Sequence, residues 1–303
     1  MAMQTLVIAT RESALALWQA EHVAARLRVL HPELAVRLLP MTTRGDQILD
    51  RPLSQIGGKG LFLKELEIAL LEGRAHLAVH SLKDVPMQLD QEFQLVAVTE
   101  REQAFDAFVS PRFASVAELP LGARVGSSSL RRQMQLHLLR PDLQVADLRG
   151  NVQTRLRKLD EGHYDAIILA AAGLERLGLR ARITGVFNAD QMLPAVGQGA
   201  LAIECLTTDA ATAQLLAPLN HRVSAQCASA ERAVARRLGG NCQVPLAAYA
   251  QIHEGDLRLR AMIGDQQAQN ALYDELSGPA SQADELGTAL AERMLAAGAS
   301  AFL

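Results

Sequence analysis

The residues able to do chemistry in this chain gather where apolar, strand-like runs give way to helix-like ones. Thr10-Arg11-Glu12-Ser13 follows the run 4–10, and Ser81-Leu82-Lys83-Asp84 follows the run 76–80. Gly126-Ser127-Ser128-Ser129-Leu130-Arg131-Arg132 and Arg149-Gly150-Asn151-Val152-Gln153-Thr154-Arg155 repeat the arrangement. A helix N-terminus presents unpaired N–H groups and a partial positive charge, so serine and arginine placed there build an anion site. Any one of these junctions is also what an ordinary capped helix end looks like. Four in one chain, all at the same kind of edge, point to a polyanionic small molecule. Asp84 stands out in this cationic set. Nearby cations favour its ionised form, and it reads either as an ion-pair partner or as a base or stabiliser of positive charge forming on a substrate.

Cys242 is the second chemical candidate. It lies in Leu238-Gly239-Gly240-Asn241-Cys242-Gln243-Val244-Pro245, and glycines before it with a proline after it predict a tight, exposed turn. Cys227, inside a helical stretch, and Cys205, ending an apolar strand, read as core residues. Three cysteines at these spacings make no disulfide framework and no paired zinc motif. Two familiar patterns fail. Gly57-Gly58-Lys59-Gly60 lacks the GxxxxGK[ST] spacing of a phosphate loop and reads as a flexible loop whose lysine reaches the cleft. Arg44-Gly45-Asp46 is an adhesion tripeptide by coincidence.

The elements that must position these groups follow from periodicity. Ala16, Ala20, Val23, Leu27 and Leu30 fall on one helical face behind Ser13 as N-cap, and Pro32 stops the helix. With strands at 4–10 and 34–40 this makes a βαβ unit. Further strands are predicted at 76–80, 93–99, 107–109, 124–126, 145–147 and 164–171, with helices at 62–72 and after Ser129 among those between them. From about residue 222 the style changes to a long helix at 224–238, strands at 246–252 and 257–263 joined by Glu254-Gly255-Asp256, and a closing helix at 281–297. Two alternating blocks predict two α/β domains facing a cleft, with ligands beyond the carboxyl ends of the strands, followed by a small α+β domain. The chain has 303 residues and is 49% hydrophobic, enough for several cores. Its net charge of −3 argues against a nucleic-acid partner. Without a long apolar run or an export signal the expectation is a cytoplasmic protein with no membrane partner. Of the 30 basic residues only Lys59, Lys64, Lys83 and Lys158 are lysines. The arginine excess fits a GC-rich genome or bidentate carboxylate and phosphate binding.

Taken in order, ATRES (9–13), GGKGLFLKELE (57–67), AVHSLKDVP (78–86), GSSSLRRQ (126–133), LRGNVQTRL (148–156), DAIILAAAGLERL (165–177), LPAVGQGALAIE (193–204) and ERAVARRLGGNCQVPL (231–246) resemble the porphobilinogen deaminases over nearly the whole chain. The resemblance implies two doubly wound domains like those of type II periplasmic binding proteins. These would be domain 1 at 1–99 plus 200–217 and domain 2 at 105–193, with crossings near 100–104 and 194–199 as the hinge. Domain 3, 222–303, would carry Cys242. It implies a transferase of haem biosynthesis that condenses four porphobilinogen molecules head to tail, releases ammonia at each step and forms the linear tetrapyrrole hydroxymethylbilane. Growth would start on a dipyrromethane held by a thioether to Cys242, with no metal. By position, Asp84 matches the catalytic carboxylate. Ser81, Lys83, Ser129, Arg131, Arg132, Arg149 and Arg155 match cofactor contacts. Arg11, Ser13, Gln19, Lys59, Arg149, Arg155, Arg176 and Gln198 match substrate contacts. The chain departs from the pattern at Gln55, where many relatives have lysine, and at Asn241, where Gly, Ser or Ala is usual. The family also implies a monomer. Every porphobilinogen brings an acetate and a propionate, so a growing chain crowds carboxylates that would be costly to bury without matching cations.

Two other readings explain part of the pattern. A non-catalytic anion receptor of solute-binding type accounts for the arginine-lined junctions but not for Cys242. A cysteine hydrolase needs a histidine partner, and His76, His80, His137, His163, His221 and His253 are scattered.

Overall fold

The computed structural model describes residues 5–47, 62–240 and 244–303. Lys59 and its glycine loop, Gln55, Asn241 and Cys242 lie outside them. The described chain divides into two units, one of residues 5–47, 62–101 and 200–225, the other of 102–199 and 226–303.

In the first unit, strands β1 (Thr5–Arg11), β2 (Ala35–Met41), β3 (Leu77–Ser81), β4 (Phe93–Val98) and β10 (Leu201–Leu206) form one sheet in the order β2-β1-β3-β10-β4. β1 runs parallel to β2 and β3, while β10 is antiparallel to β3 and β4. Alternate residues of β1 feed two cores, as strand geometry requires. Leu6 and Ile8 pack with Ala20, Val23 and Leu27 of α1 (Ala14–Leu30). Val7 and Ala9 pack with Leu66, Ala69 and Leu70 of α2 (Lys64–Leu71). The sheet is therefore covered on both faces. Ser13 is the N-cap of α1, its Oγ accepting from the Ala16 N–H at 3.3 Å, and the helix ends at His31 just ahead of Pro32, as the spacing predicts. α2 is shorter than the expected 62–72.

The second unit repeats the plan. β5 (Asp106–Val109), β6 (Arg124–Gly126), β7 (Gln144–Ala146), β8 (Ala166–Ala170) and β9 (Gly185–Val186) are ordered β7-β6-β8-β5-β9. β6 is parallel to β7 and β8, and β5 is antiparallel to β8 and β9. In both sheets the antiparallel strand in fourth place, β10 or β5, is the first one after the chain has changed units. Val125, Ala166 and Ile168 pack with Leu136 of α3 (Leu130–Leu139). On the other face Val109, Ile167 and Leu169 pack with Leu156 and Leu159 of α4 (Val152–Asp160) and Leu174 of α5 (Ala171–Arg176). The class is α/β, with two doubly wound sheets and a smaller α+β part.

That smaller part comprises α7 (Arg222–Arg237, following α6 at Ala210–Leu216), an antiparallel sheet of β11 (Leu246–His253), β12 (Asp256–Gly264) and β13 (Ala271–Pro279), and α8 (Ala283–Ala296). The β11–β12 turn has positive φ at Glu254 (53°) and Gly255 (91°), the two-residue turn that suits strand twist. The third strand was not expected: its sequence ALYDELSGP mixes acidic residues, Gly and Pro. α7 ends in a motif with the Gly240 N–H on the Ala235 carbonyl (2.7 Å) and the Gly239 N–H on that of Arg236 (3.3 Å), Gly239 having φ 63°. α7 is in turn held by α8, where Gly287 faces Ala230 and Ala233: a Cβ on Gly287 would overlap the Ala230 carbonyl and stand 2.6 Å from the Ala233 Cβ. Helix propensity favours Ala over Gly by about 1 kcal/mol, but overpacking costs about 1–3 kcal/mol. Gly287→Ala is therefore expected to lower the thermal unfolding midpoint of this unit; an unchanged or higher midpoint would contradict the close helix contact.

Candidate active site

In the first unit the carboxyl ends of β1 and β3 supply the chemistry. β1 ends at Arg11 and is followed by the cap Ser13; β3 ends at Ser81, and a single 3₁₀ turn, Leu82–Asp84, carries Lys83 and Asp84 outward. Leu82 anchors the turn, fully buried with its N–H on the Ala200 carbonyl at 3.0 Å. Asp84 is exposed and Lys83 half-buried. Arg11, Ser13, Gln19, Phe62, His80, Ser81 and Asp84 line one pocket of about 60 Å³. Gln19 is buried and donates from Nε2 to Ser81 Oγ at 2.8 Å, tying α1 to the end of β3. The Arg11 guanidinium lies 4.0 Å from the Phe62 ring centre and donates from Nε to Asp46 Oδ2 at 3.1 Å. Burial pushes Asp46 up, but hydrogen bonds from Arg11 and Thr43 outweigh it and hold the carboxyl below its usual range.

In the second unit the paired arginines have a partner that their sequence neighbours do not disclose. Arg131 and Arg132, in the first turn of α3, are buried and converge on Asp106, which is fully buried at the start of β5. Arg132 donates to Asp106 Oδ1 from Nε (3.0 Å) and Nη2 (2.6 Å), and from Nη1 to the Ile168 carbonyl (3.0 Å). Arg131 pairs with Oδ2 through Nη2 at 2.8 Å and donates from Nη1 to the Leu193 carbonyl at 2.6 Å. Gln198, also buried, adds Nε2 donors to Asp106 Oδ1 (2.9 Å) and the Ala104 carbonyl (2.7 Å). Desolvation alone would raise Asp106, but the two guanidiniums hold its carboxyl far below the ordinary range. Burial likewise lowers Arg131. One carboxylate against two guanidiniums leaves an excess positive charge at a helix N-terminus. Arg131 Nε is buried there without a hydrogen-bond partner, a donor suited to an anionic group. Ser129 occupies the N-cap position, and its side chain makes no capping bond.

The next junction holds Arg149 and Arg155, both half-buried. Gly150 between Arg149 and the cap Asn151 has φ 110°, and a Cβ on it would come within 2.7 Å of Thr154 Cγ2, so only glycine suits this loop. Arg155 Nε donates to the Gly150 carbonyl at 2.7 Å. Arg176 stands apart. It is buried at the end of α5, with Nε on Glu102 Oε2 (2.6 Å) and Nη2 on the Gly199 carbonyl (2.8 Å). The structure thus brings Arg11, Ser13, Gln19, Ser81 and Asp84 together, and Arg131, Arg132 and Gln198 together. The residues the sequence reading missed are Asp46, Glu102 and Asp106. Each is distant in sequence from the arginine it pairs with, and no local pattern marks it.

Two family models match the chain: the porphobilinogen deaminase dipyrromethane cofactor-binding domain over residues 6–214 and the porphobilinogen deaminase C-terminal domain over 225–296. The chain belongs to the porphobilinogen deaminase family. A porphobilinogen deaminase of Thiobacillus denitrificans is 57% identical over 301 residues, 99% of this chain and 98% of the relative. One of Chromobacterium violaceum is 58% identical over 297 residues, 98% of this chain and 96% of the relative. Among solved structures, a periplasmic substrate-binding protein of an ABC transporter from Coxiella burnetii has TM-score 0.46 at 13% identity, covering 75% of this chain and 96% of its own. A nutrient-binding protein from Burkholderia cenocepacia bound to methionine has TM-score 0.44 at 14% identity, covering 70% and 90%.

Within the deaminase framework Asp106 has a clear structural load. Asp106→Asn should cost about 3–5 kcal/mol, because it leaves two buried guanidiniums without their counter-charge. The folded-state carboxyl is depressed, so its stabilisation is full above the ordinary carboxylate range and fades as pH falls below it. The gap between wild-type and variant urea midpoints should be large at pH 7 and shrink below about pH 4. Equal midpoints at pH 7 would contradict the assignment.

Proposed function

We infer that this member of the porphobilinogen deaminase family is an enzyme that condenses four porphobilinogen molecules head to tail, with release of ammonia, into the linear tetrapyrrole hydroxymethylbilane. The observation that carries the reading is the buried excess of positive charge at Arg131 and Arg132, in a chain whose residues 6–214 match a dipyrromethane cofactor-binding domain. The donor set suits the carboxylates of such a group: Arg131 Nε is available, and Ser129, Lys83, Ser81, Arg149 and Arg155 add hydroxyl and cationic donors at strand ends. A dipyrromethane held through a thioether to Cys242 would supply the pyrrole carbon on which the chain grows. Cys242 lies outside the described residues, two positions after the glycines that end α7.

The chain's own residues divide the work. Arg11, Ser13, Gln19, Lys59, Arg149, Arg155, Arg176 and Gln198 orient substrate acetate and propionate groups by charge and hydrogen bonding. Asp84 acts at the reacting carbon. When ammonia leaves the aminomethyl group of porphobilinogen, positive charge spreads onto the pyrrole nitrogen. A carboxylate held at that N–H stabilises the charge and can hold the proton there. The turn Leu82–Asp84 suits this role, since Leu82 fixes its base while Asp84 reaches solvent. The division into domains 1–99 with 200–217, 105–193 and 222–303 belongs to the same reading, as do a monomeric state and a cytoplasmic location with no nucleic-acid or membrane partner. No described helix is long and apolar enough to cross a membrane.

Asp84→Asn preserves shape at an exposed position, so the fold should be unchanged. Ammonia release from porphobilinogen should fall by about 100-fold or more. A variant with near wild-type kcat would remove Asp84 from the chemistry.

A further inference from the structure

The second unit holds a pocket that the chemistry above does not use. Its volume is about 260 Å³, against about 60 Å³ for the pocket beside Asp84, and its lining includes Leu138 and Leu139 of α3, Leu193, Arg260 and Met262 of β12, and Tyr273 of β13. Strand register builds the floor. Arg260 and Met262 are two apart on β12 and so share a face, and Tyr273 stands opposite Met262 on β13. Leu193 and Met262 belong to one apolar cluster with Ala247 and Tyr249. Short hydrogen bonds fix the lip: Asn188 Oδ1 accepts from the Asp190 and Gln191 N–H groups at 3.0 Å each, and Gln191 Oε1 accepts from the Asn188 N–H at 3.1 Å. Leu138, Leu139 and Tyr273 are exposed, so the pocket opens to solvent.

Arg260 supplies the charge. Its side chain is 8% exposed, whereas that of its partner Asp190, whose Oδ1 is 2.7 Å from Arg260 Nη1, is 86% exposed. Arg131 and Arg132 share a fully buried acid instead. Glu275, opposite Arg260 in the register, is engaged by Arg258 Nη2 (2.7 Å) and by the Tyr273 hydroxyl (2.9 Å). A buried guanidinium is thus balanced from the solvent side. Ion pairs with an exposed member are worth little, so a carboxylate that also buries apolar surface displaces Asp190 with a net gain.

We propose that this pocket binds a small aromatic monocarboxylate, with its carboxylate on Arg260 in place of Asp190 and its ring among Tyr273, Met262 and the leucines of α3. The volume falls just below the roughly 300–1,000 Å³ of sites for drug-sized ligands, which selects a single-ring molecule. Tyrosine and thioether side chains favour an aromatic face. Asp190 and Glu275 repel a second carboxylate, so the dicarboxylate porphobilinogen fits poorly. The site goes beyond the deaminase reading and does not depend on it.

The test is a titration of the full chain with hydrocinnamate at neutral pH, followed by the ¹³C-methyl signal of Met262. A saturable shift with Kd of about 1 mM or tighter is expected, an affinity open to a ligand of this size. Hydrocinnamide, the uncharged analogue, should bind about tenfold more weakly, since it gives Arg260 no charge-assisted bond. Asp190→Asn changes an exposed side chain, keeps the fold and removes the competing anion, so hydrocinnamate should then bind about threefold tighter. The absence of a saturable shift, hydrocinnamide binding as tightly as the carboxylate, or an affinity in Asp190→Asn no tighter than wild type overturns the proposal.

Discussion

Two guanidiniums held side by side repel one another, and in the second unit a fully buried carboxylate absorbs that repulsion. Asp106 holds Arg131 from one side and Arg132 from the other, with Gln198 satisfying a remaining lone pair. A buried ion pair of this kind adds little net stability over apolar packing, yet losing one member is expensive. Its value here is geometric. It fixes two guanidiniums in the first turn of α3 and leaves one positive charge unbalanced. Arg11 on Asp46 and Arg176 on Glu102 follow the same rule, each cation braced by an acid distant in sequence.

The sheets supply the places where such groups can stand. In each unit the parallel strands end where helices begin, so N–H groups, hydroxyls and guanidiniums collect at one edge. Both sheets share one order, and in both the antiparallel strand is the one entered when the chain changes units. Glycines appear where the loops demand them: Gly150 lets Arg149 and Asn151 flank a positive-φ step, and Gly239 stops α7 short of residues 241–243.

Much of this was legible in the sequence because it depends on local periodicity. The α1 stripe and Ser13 cap, the strand ends leading to Arg11 and Asp84, and the glycines that stop α7 all follow from patterns a few residues long. β13 escaped because its alternating exposure is written in Asp, Glu, Ser and Gly rather than in β-branched residues. The braces escaped for another reason. Asp106 is 25 and 26 residues from its arginines. Nothing local distinguishes such acids from solvated ones. Arg176 shows the converse: family position marks it for substrate, while its guanidinium rests on Glu102 and the Gly199 carbonyl.

The account turns on a pyrrole primer carried by one thiol. Intact mass of the purified chain, beside that of Cys242→Ser, tests this directly. The account predicts an excess equal to two porphobilinogens less two ammonias on the wild type, present at once or after incubation with porphobilinogen, and none on the variant. A wild type that stays at its bare mass and releases no ammonia after that incubation, or an excess that survives Cys242→Ser, would contradict it.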